Sequence, residues 1–401
     1  MDYLVLTKVH GAILGPISQI LGWILNVLVT FTNSFGVLNI GLSIILFTLV
    51  VKLLMFPMTI KQQKASKLMA VMQPELQAIQ AKYKGKKDND SMMKMNVETK
   101  AVYEKYGTSM TGGCLQLVIQ MPILFALYRV IYCIPAYVMP VKEHFLNVVY
   151  ALTGTSSVSS LTEGAAASLL QFATDHNIAL TGVNPIGDLT GVSGEALANK
   201  MVDILYKLNP AQWGDLAQAF PGAASVIADN AATIEKMNTF LGINLSSNPF
   251  NGSFVPNLAW LIPILAGLTQ YASTKLMMAS QPKKNNEEDM GSQMMQSMNV
   301  TMPLMSVFFC FTFPAAIGIY WVASAVVRMI QQIIVNKQID KIDLDEMIQK
   351  NVEKNNEKRK KMGLPPQTIS KQAMMAASKQ LAGASAAPSR EHLVAKPDLS
   401  R

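Results

Sequence analysis

Charge is what this chain is short of. Only 15% of its 401 residues are Asp, Glu, Lys or Arg, against roughly 25% in a typical soluble domain. Half of the residues are hydrophobic and the mean hydropathy is +0.25, which excludes an ordinary soluble domain and equally a charge-rich disordered chain. Cysteine is scarce too. Cys114, Cys133 and Cys310 form no CxxC pair and sit in apolar stretches, so neither a disulfide framework nor a zinc site is expected, and buried free thiols are the better reading. There is no HExxH, Walker or paired-carboxylate pattern, so no metal, nucleotide or other cofactor is expected and no enzyme is read here. The solvent for much of this chain is lipid.

A spanning helix needs about 20 mostly apolar residues. Six stretches qualify or nearly so: Gly11 to Phe31, Ile40 to Met58, Gly113 to Val138, Leu258 to Thr274, Met302 to Phe313 and Ala315 to Val335. Pro314 separates the last two, which read as a tight helical hairpin. In the first stretch Ser18, Gln19, Gly22, Asn26, Thr30 and Asn33 recur at helical spacing as one weakly polar face. Such a face suits an amphipathic helix lying in the interface; the alternatives are a true span and, with a thin basic start at Lys8, a cleaved signal.

The few charges are unevenly placed. Residues 59–110 carry ten Lys against five acids, residues 139–252 four Lys against nine acids, and residues 336–401 thirteen Lys and Arg against eight acids. By the positive-inside rule the first and last of these are cytoplasmic and the middle one lies outside. The expected fold class is an all-α integral membrane protein of the cell membrane with a cytoplasmic C-terminus. It has five transmembrane helices, or six if Gly11 to Phe31 crosses, around a cytoplasm-open hydrophilic groove. Its parts would be an N-terminal segment with the interfacial helix (1–38), a first span (39–58), a cytoplasmic helical hairpin (59–111) and a second span (112–138). An extracytoplasmic helical insertion (139–254), a third span (255–274), a cytoplasmic loop (275–299), the fourth and fifth spans (300–335) and a basic cytoplasmic tail (336–401) follow. The hairpin would pair helices at 60–83 and 91–106, with Pro74 kinking or restarting the first. Within the insertion, helices are expected near 164–175, 194–208 and 223–241, and Asn209-Pro210 reads as an N-cap followed by Pro at the first helical position.

No acid lies in any candidate span, yet Lys52, Arg129 and Arg328 do. An intramembrane cation is costly, about 2.5–3.5 kcal/mol on insertion scales, and asks for a reason. Arg129 sits near a helix end and snorkels. Lys52 lies six residues before the end of its stretch, with Thr48 on the same face. Gln116 and Gln120 lie one turn apart on the next span, and Tyr320, Ser324, Arg328 and Gln331/Gln332 form a similar stripe on the last. Three helices offering polar groups at one depth imply a shared groove with Lys52 as its positive charge. A small-solute transporter or channel with an intramembrane cationic site is the rival reading, but the internal repeat that such folds favour is missing. A Ser–Lys protease needs the two side chains within hydrogen-bond reach. Ser43 is nine residues from Lys52, about 13.5 Å along a helix, which leaves only Ser324 as a nucleophile.

Five segments, GLSIILFTLVVKLLMFP (41–57), MQPELQAIQAKY (72–83), GGCLQLVIQMPILFALY (112–128), WLIPILAGLTQY (260–271) and FPAAIGIYWVASAVVRMIQQ (313–332), resemble the YidC/Oxa/Alb family of membrane protein insertases, in the shorter Gram-positive form. The resemblance implies a five-helix core with a groove open to cytoplasm and lipid, and a mobile cytoplasmic hairpin. It implies as partners nascent membrane protein substrates and the lipid bilayer, with no DNA partner. The basic hairpin and tail suit the ribosome or anionic lipid, and the chain would work alone or beside the Sec translocon. The family's groove cation is usually Arg five residues before a Pro; here Lys52 stands five before Pro57. The chain also has Gln116 where the family usually has Pro and Ala325 where it usually has Asn. Lys52 keeps the charge but lacks the planar fork that grips a carboxylate with two hydrogen bonds.

Overall fold

The structure, a computed structural model, describes residues 11–86, 88–106, 112–178, 189–250, 256–279, 301, 303–339, 344–363 and 365–366. These are mostly helical, with one two-stranded ribbon, and they fall into two compact units. Among the described residues two helices are long and apolar enough to cross a membrane, Leu14–Ser34 and Ala315–Lys337, and Ile40–Leu54 and Phe56–Ala65 pass the same test when taken together as one broken span.

The larger unit, residues 1–55, 117–275 and 288–329, begins with α1 (Leu14–Ser34) and α2 (Ile40–Leu54). Helix α1 splits its expected polar stripe: Ser18 and Gly22 are buried and Asn26 is half-buried, whereas Gln19, Thr30 and Asn33 are exposed. Ser18, Gly22 and Thr32 are buried together with Leu21, Leu25 and Val29, while Ile20, Trp23, Val27 and Phe31 stand exposed. The small and weakly polar residues are used for close packing: Gly22 is so near the Tyr137 ring that a Cβ there would overlap it, and Asn26 Oδ1 accepts from the Met139 backbone N–H at 2.8 Å. Small buried residues of this kind let helices approach closely.

Helix α2 starts at Asn39, whose side chain caps the Leu42 N–H at 3.1 Å and donates to the Thr239 carbonyl at 2.8 Å. It stops at Leu54, short of the Met58 end expected, because Pro57 has no N–H to continue the ladder and its ring would meet the Leu53 carbonyl. At 15 residues it is about 22 Å long. The next helix, α3 (Phe56–Tyr83), accommodates Pro57 in its first turn.

Helix α5 runs Gly112–Tyr132, and after a single turn, α6 (Ile134–Tyr137), the chain enters α7 (Met139–Thr153), a helix not anticipated in the sequence. Helices α8 (Ala167–Asp175), α9 (Gly194–Tyr206), α10 (Pro210–Ala219) and α11 (Ala224–Asn238) follow. The N-cap at Asn209 is a full capping box, its side chain and that of Gln212 each taking the other's backbone N–H at 3.0 Å. Leu197, Met201 and Leu205 of α9, Phe145 and Val148 of α7 and Leu216 and Ile227 of α10 and α11 share one apolar core with Leu25 of α1, Ile44 of α2 and Val130 of α5. Strands β1 (Thr239–Phe240) and β2 (Ile243–Asn244) pair antiparallel across the two-residue turn Leu241-Gly242, where both φ angles are positive, as such a tight hairpin needs.

Helices α12 (Leu261–Ala279), α13 (Pro303–Thr312) and α14 (Ala315–Ile339) complete the set. At ten residues, α13 is about 15 Å long, shorter than a full span. The backbone N–H groups of Ala315 and Ala316, orphans at the start of α14, donate to Ser247 and Leu245 carbonyls at 2.9 and 3.0 Å. Helices α12 and α14 approach closely at Gly318, where a Cβ would collide with Ile262 Cγ2 and touch Cys310 Sγ. Gly318→Val should therefore lose about 1–3 kcal/mol through overpacking, seen as a lower melting temperature of the detergent-solubilised chain, and Ile262→Ala should recover part of it.

The second unit, residues 56–116, 276–287 and 330–401, is built on α3 and α4 (Asn89–Lys105). Helix α3 is one helix through Pro74 and does not restart there. Leu68, Val71, Met72 and Leu76 of α3 pack on Val102 and Tyr106, and on Ile348 and Val352 of α15 (Leu344–Lys361). The basic tail thus begins as a helix docked on the hairpin, with Asn351 donating to the Tyr106 carbonyl at 3.1 Å. Residues 367–401, the remainder of the basic tail read at 336–401, lie outside the described residues.

Candidate functional site

Because α2 ends early, Lys52 occupies its last turn rather than lying six residues inside a longer helix. The partial negative charge of the unsatisfied carbonyls there favours a cation. Lys52 is half-buried between Thr48, fully buried one turn before it, and Leu53 and Leu54, which are 57% and 68% exposed. The Thr48 hydroxyl is committed to its own helix, donating to the Ile44 carbonyl at 2.7 Å, so Thr48 supplies a small polar surface and no free donor.

On α14, Tyr320 and Ser324 are buried one turn apart and Arg328 follows one turn later on an exposed position. Ser324 lies beside Tyr320, yet its Oγ closes no well-formed hydrogen bond. It is not paired with Lys52, so the Ser–Lys dyad that the sequence left open is not assembled. Arg328 interacts with Tyr320 and repels Lys52. Helices α2 and α14 therefore gather two cations, a phenol and an orphaned hydroxyl in one neighbourhood. Helices α2 and α14 themselves contain no Asp or Glu.

Gln120 on α5 is half-buried; the Gln116 side chain lies outside the described ones. Gln331 and Gln332 extend the α14 stripe but are buried, and Gln332 is engaged by Gln63 at 2.7 Å and by Asn336 at 2.8 Å. That part of the stripe is satisfied structure within the second unit. Gln63 went unnoticed in the sequence, where a lone glutamine in a Lys- and Gln-rich run carries no signal. Among the described residues no three His, Cys, Asp or Glu are grouped to hold a metal.

The model of the 60Kd inner membrane protein family matches residues 30–162 and 220–342, the greater part of the chain. This chain belongs to that family. The match to the 60Kd inner membrane protein family takes in every candidate groove residue and leaves out residues 163–219, which carry α8, α9 and α10. Relatives of the same kind include the membrane protein insertase YidC of Oceanobacillus iheyensis, 26% identical over 76% of this chain and 79% of its own length. The membrane protein insertase MisCA of Bacillus subtilis is 25% identical over 78% and 76%. A shorter, denser match is to the membrane protein insertase YidC of Fusobacterium nucleatum, 39% identical over 29% of this chain and 51% of that one. As a member of this family with helices long and apolar enough to cross, the chain is a membrane-embedded protein of the cell membrane.

Proposed function

We propose that this protein is a membrane protein insertase that moves polar segments of nascent membrane proteins through a hydrophilic groove. The carrying observation is the pairing of Lys52 and Arg328 beside Tyr320 and Ser324 in helices devoid of acids. The charged and polar cluster lowers the cost of taking an acidic tail into hydrocarbon. The substrate's apolar helix meanwhile meets the exposed Phe125, Leu265, Leu268 and Phe308 surfaces and partitions into lipid. No bond is made or broken, so the protein is not an enzyme.

The groove opens to the cytoplasm between α2, α5, α12, α13 and α14 as spans, with α1 as an additional crossing. The family assignment supports the class of fold, and the length and apolar character of α1 support its crossing. The Lys-rich α3–α4 hairpin and α15, with its run Lys358, Arg359, Lys360 and Lys361, lie in the cytoplasm by the charge rule. There they offer the ribosome or anionic headgroups a basic surface; the Sec translocon would be a lateral partner. Site-specific crosslinking of a stalled nascent chain tests the groove. Crosslinks from positions 52, 120 and 324 are expected, and uptake of a small solute without any crosslink would favour a transporter.

A further inference from the structure

A second site lies at the other end of the same helices. The start of α2, the end of α5 and the start of α14 meet residues of the 139–254 segment around a cavity of about 270 Å³. Ile40, Tyr132 and Ala316 form its membrane-side floor, and Asp203, Lys207 and Asn238 stand in its wall. Asp203 is 7% exposed and Asn238 also 7%. The Asp203 carboxylate closes no hydrogen bond and no ion pair among the described residues. Lys207, Lys200 and Lys142 attract it only from a distance, and burial pushes the carboxyl up to about 7 in spite of them. A buried anion at a cavity wall with no donor on it is costly unless something brings one. Asp203 and Lys207 both belong to residues 163–219, the part that the 60Kd inner membrane protein model leaves unmatched, whereas the floor is family-common.

We propose that this cavity binds the phosphoethanolamine headgroup of a membrane lipid, its primary ammonium donating to Asp203 and its phosphate facing Lys207. Three features favour this ligand over a basic polypeptide. The floor is made of spanning-helix ends, where a headgroup sits. An anion and a cation side by side match a zwitterion, whereas a Lys or Arg side chain would leave Lys207 repelling it. A second cavity of about 280 Å³, walled by Phe145, Trp213 and Ala231, shares Tyr206 and Asn238 with the first and extends the site with apolar surface. Placing the floor at the outer leaflet rests on the topology proposed above, but the binding does not rest on the insertase activity.

The test is native mass spectrometry of the detergent-solubilised full chain with phosphatidylethanolamine, phosphatidylcholine, phosphatidylglycerol, free phosphoethanolamine and a Lys-rich peptide. Phosphatidylethanolamine is expected to bind about tenfold more tightly than phosphatidylcholine, the scale of one hydrogen bond to a charged group, because a quaternary ammonium has no N–H to donate. Asp203→Asn should erase that preference, and Lys207→Gln should weaken both zwitterionic lipids alike. Asp203→Asn removes a buried charge, so its melting curve should stay at or above that of the parent, which separates lost binding from lost fold. Protonation of Asp203 makes the preference weaker at about pH 5.5 than at about pH 8; the other titratable groups around it are Lys142, Lys200, Lys207, Tyr132 and Tyr206. Equal binding of the two zwitterionic lipids, or an unchanged preference in Asp203→Asn, overturns the proposal. So does tighter capture of the peptide, or of free phosphoethanolamine alone. None of these results touches the crosslinking outcome, so failure here leaves the insertase reading standing.

Discussion

Lys52→Glu should abolish insertion of a single-span substrate with an acidic translocated tail, while Lys52→Arg should retain it. The two cations make the argument quantitative. Two unit charges 4 Å apart at an effective dielectric of 20 interact by about 4 kcal/mol, so a carboxylate at position 52 repels the acidic tail on that scale. It also pairs with Arg328, whose charge now reaches the Lys52 site as repulsion, and so cancels the second cation as well. Lys52→Ala leaves Arg328 in place and should fall between parent and charge reversal, while the double replacement of Lys52 and Arg328 by Ala should approach Lys52→Glu. The series is read as protease protection of the translocated tail in a strain depleted of its own insertase. Full activity of Lys52→Glu would sink the groove-charge mechanism. Arginine is tolerated because attraction of a passing tail needs charge near the end of α2, where the helix carbonyls already favour a cation, more than the bidentate fork that Lys lacks.

Lys52 was legible in the sequence because an acid-free apolar background leaves a single cation conspicuous, and its fellow Arg328 for the same reason. What the sequence obscured was which face each polar residue takes. The Ser18, Gly22 and Asn26 stripe on α1 reads as a water-facing edge when polarity is the only guide, yet two of these side chains are small enough to let helices touch. Hydropathy likewise extends α2 to Met58, since Met55, Phe56 and Met58 are apolar; only the missing N–H of Pro57 ends it at Leu54. Asp203 escaped notice because its meaning is tertiary. Lys200, Asp203 and Lys207 fall at helical spacing and look like a solvated charged face, whereas α9 is buried along almost its whole length. The docking of α15 was equally hidden: Ile348 and Val352 are two apolar residues in a helix otherwise rich in Lys, Glu and Asn.

Glu75→Ala should cost the α3–α4 hairpin about 3–5 kcal/mol, the range for removing one partner of a buried ion pair. Lys105 Nζ donates to both Glu75 carboxylate oxygens at 2.9 Å, and the Tyr106 hydroxyl donates to Oε1 at 3.0 Å. The two charged side chains are only 10% and 13% exposed, so truncating Glu75 strands an ammonium and a phenol together in a site that water scarcely enters. By contrast Lys82–Glu98 at the far end of the hairpin is a surface pair, 58% and 36% exposed, and Glu98→Ala should leave the melting temperature almost unchanged. Combining Glu75→Leu with Lys105→Met should recover most of the loss, because replacing both partners by apolar groups removes the desolvation cost along with the attraction. Tyr106 connects this pair to the tail: its ring is fully buried and its carbonyl accepts from Asn351 of α15. Hydrogen exchange should therefore speed up in residues 344–361 as well as in α3 and α4 when Glu75 is truncated. Faster exchange confined to the hairpin, with α15 as protected as before, would mean that the tail helix holds its place without the pair beneath it.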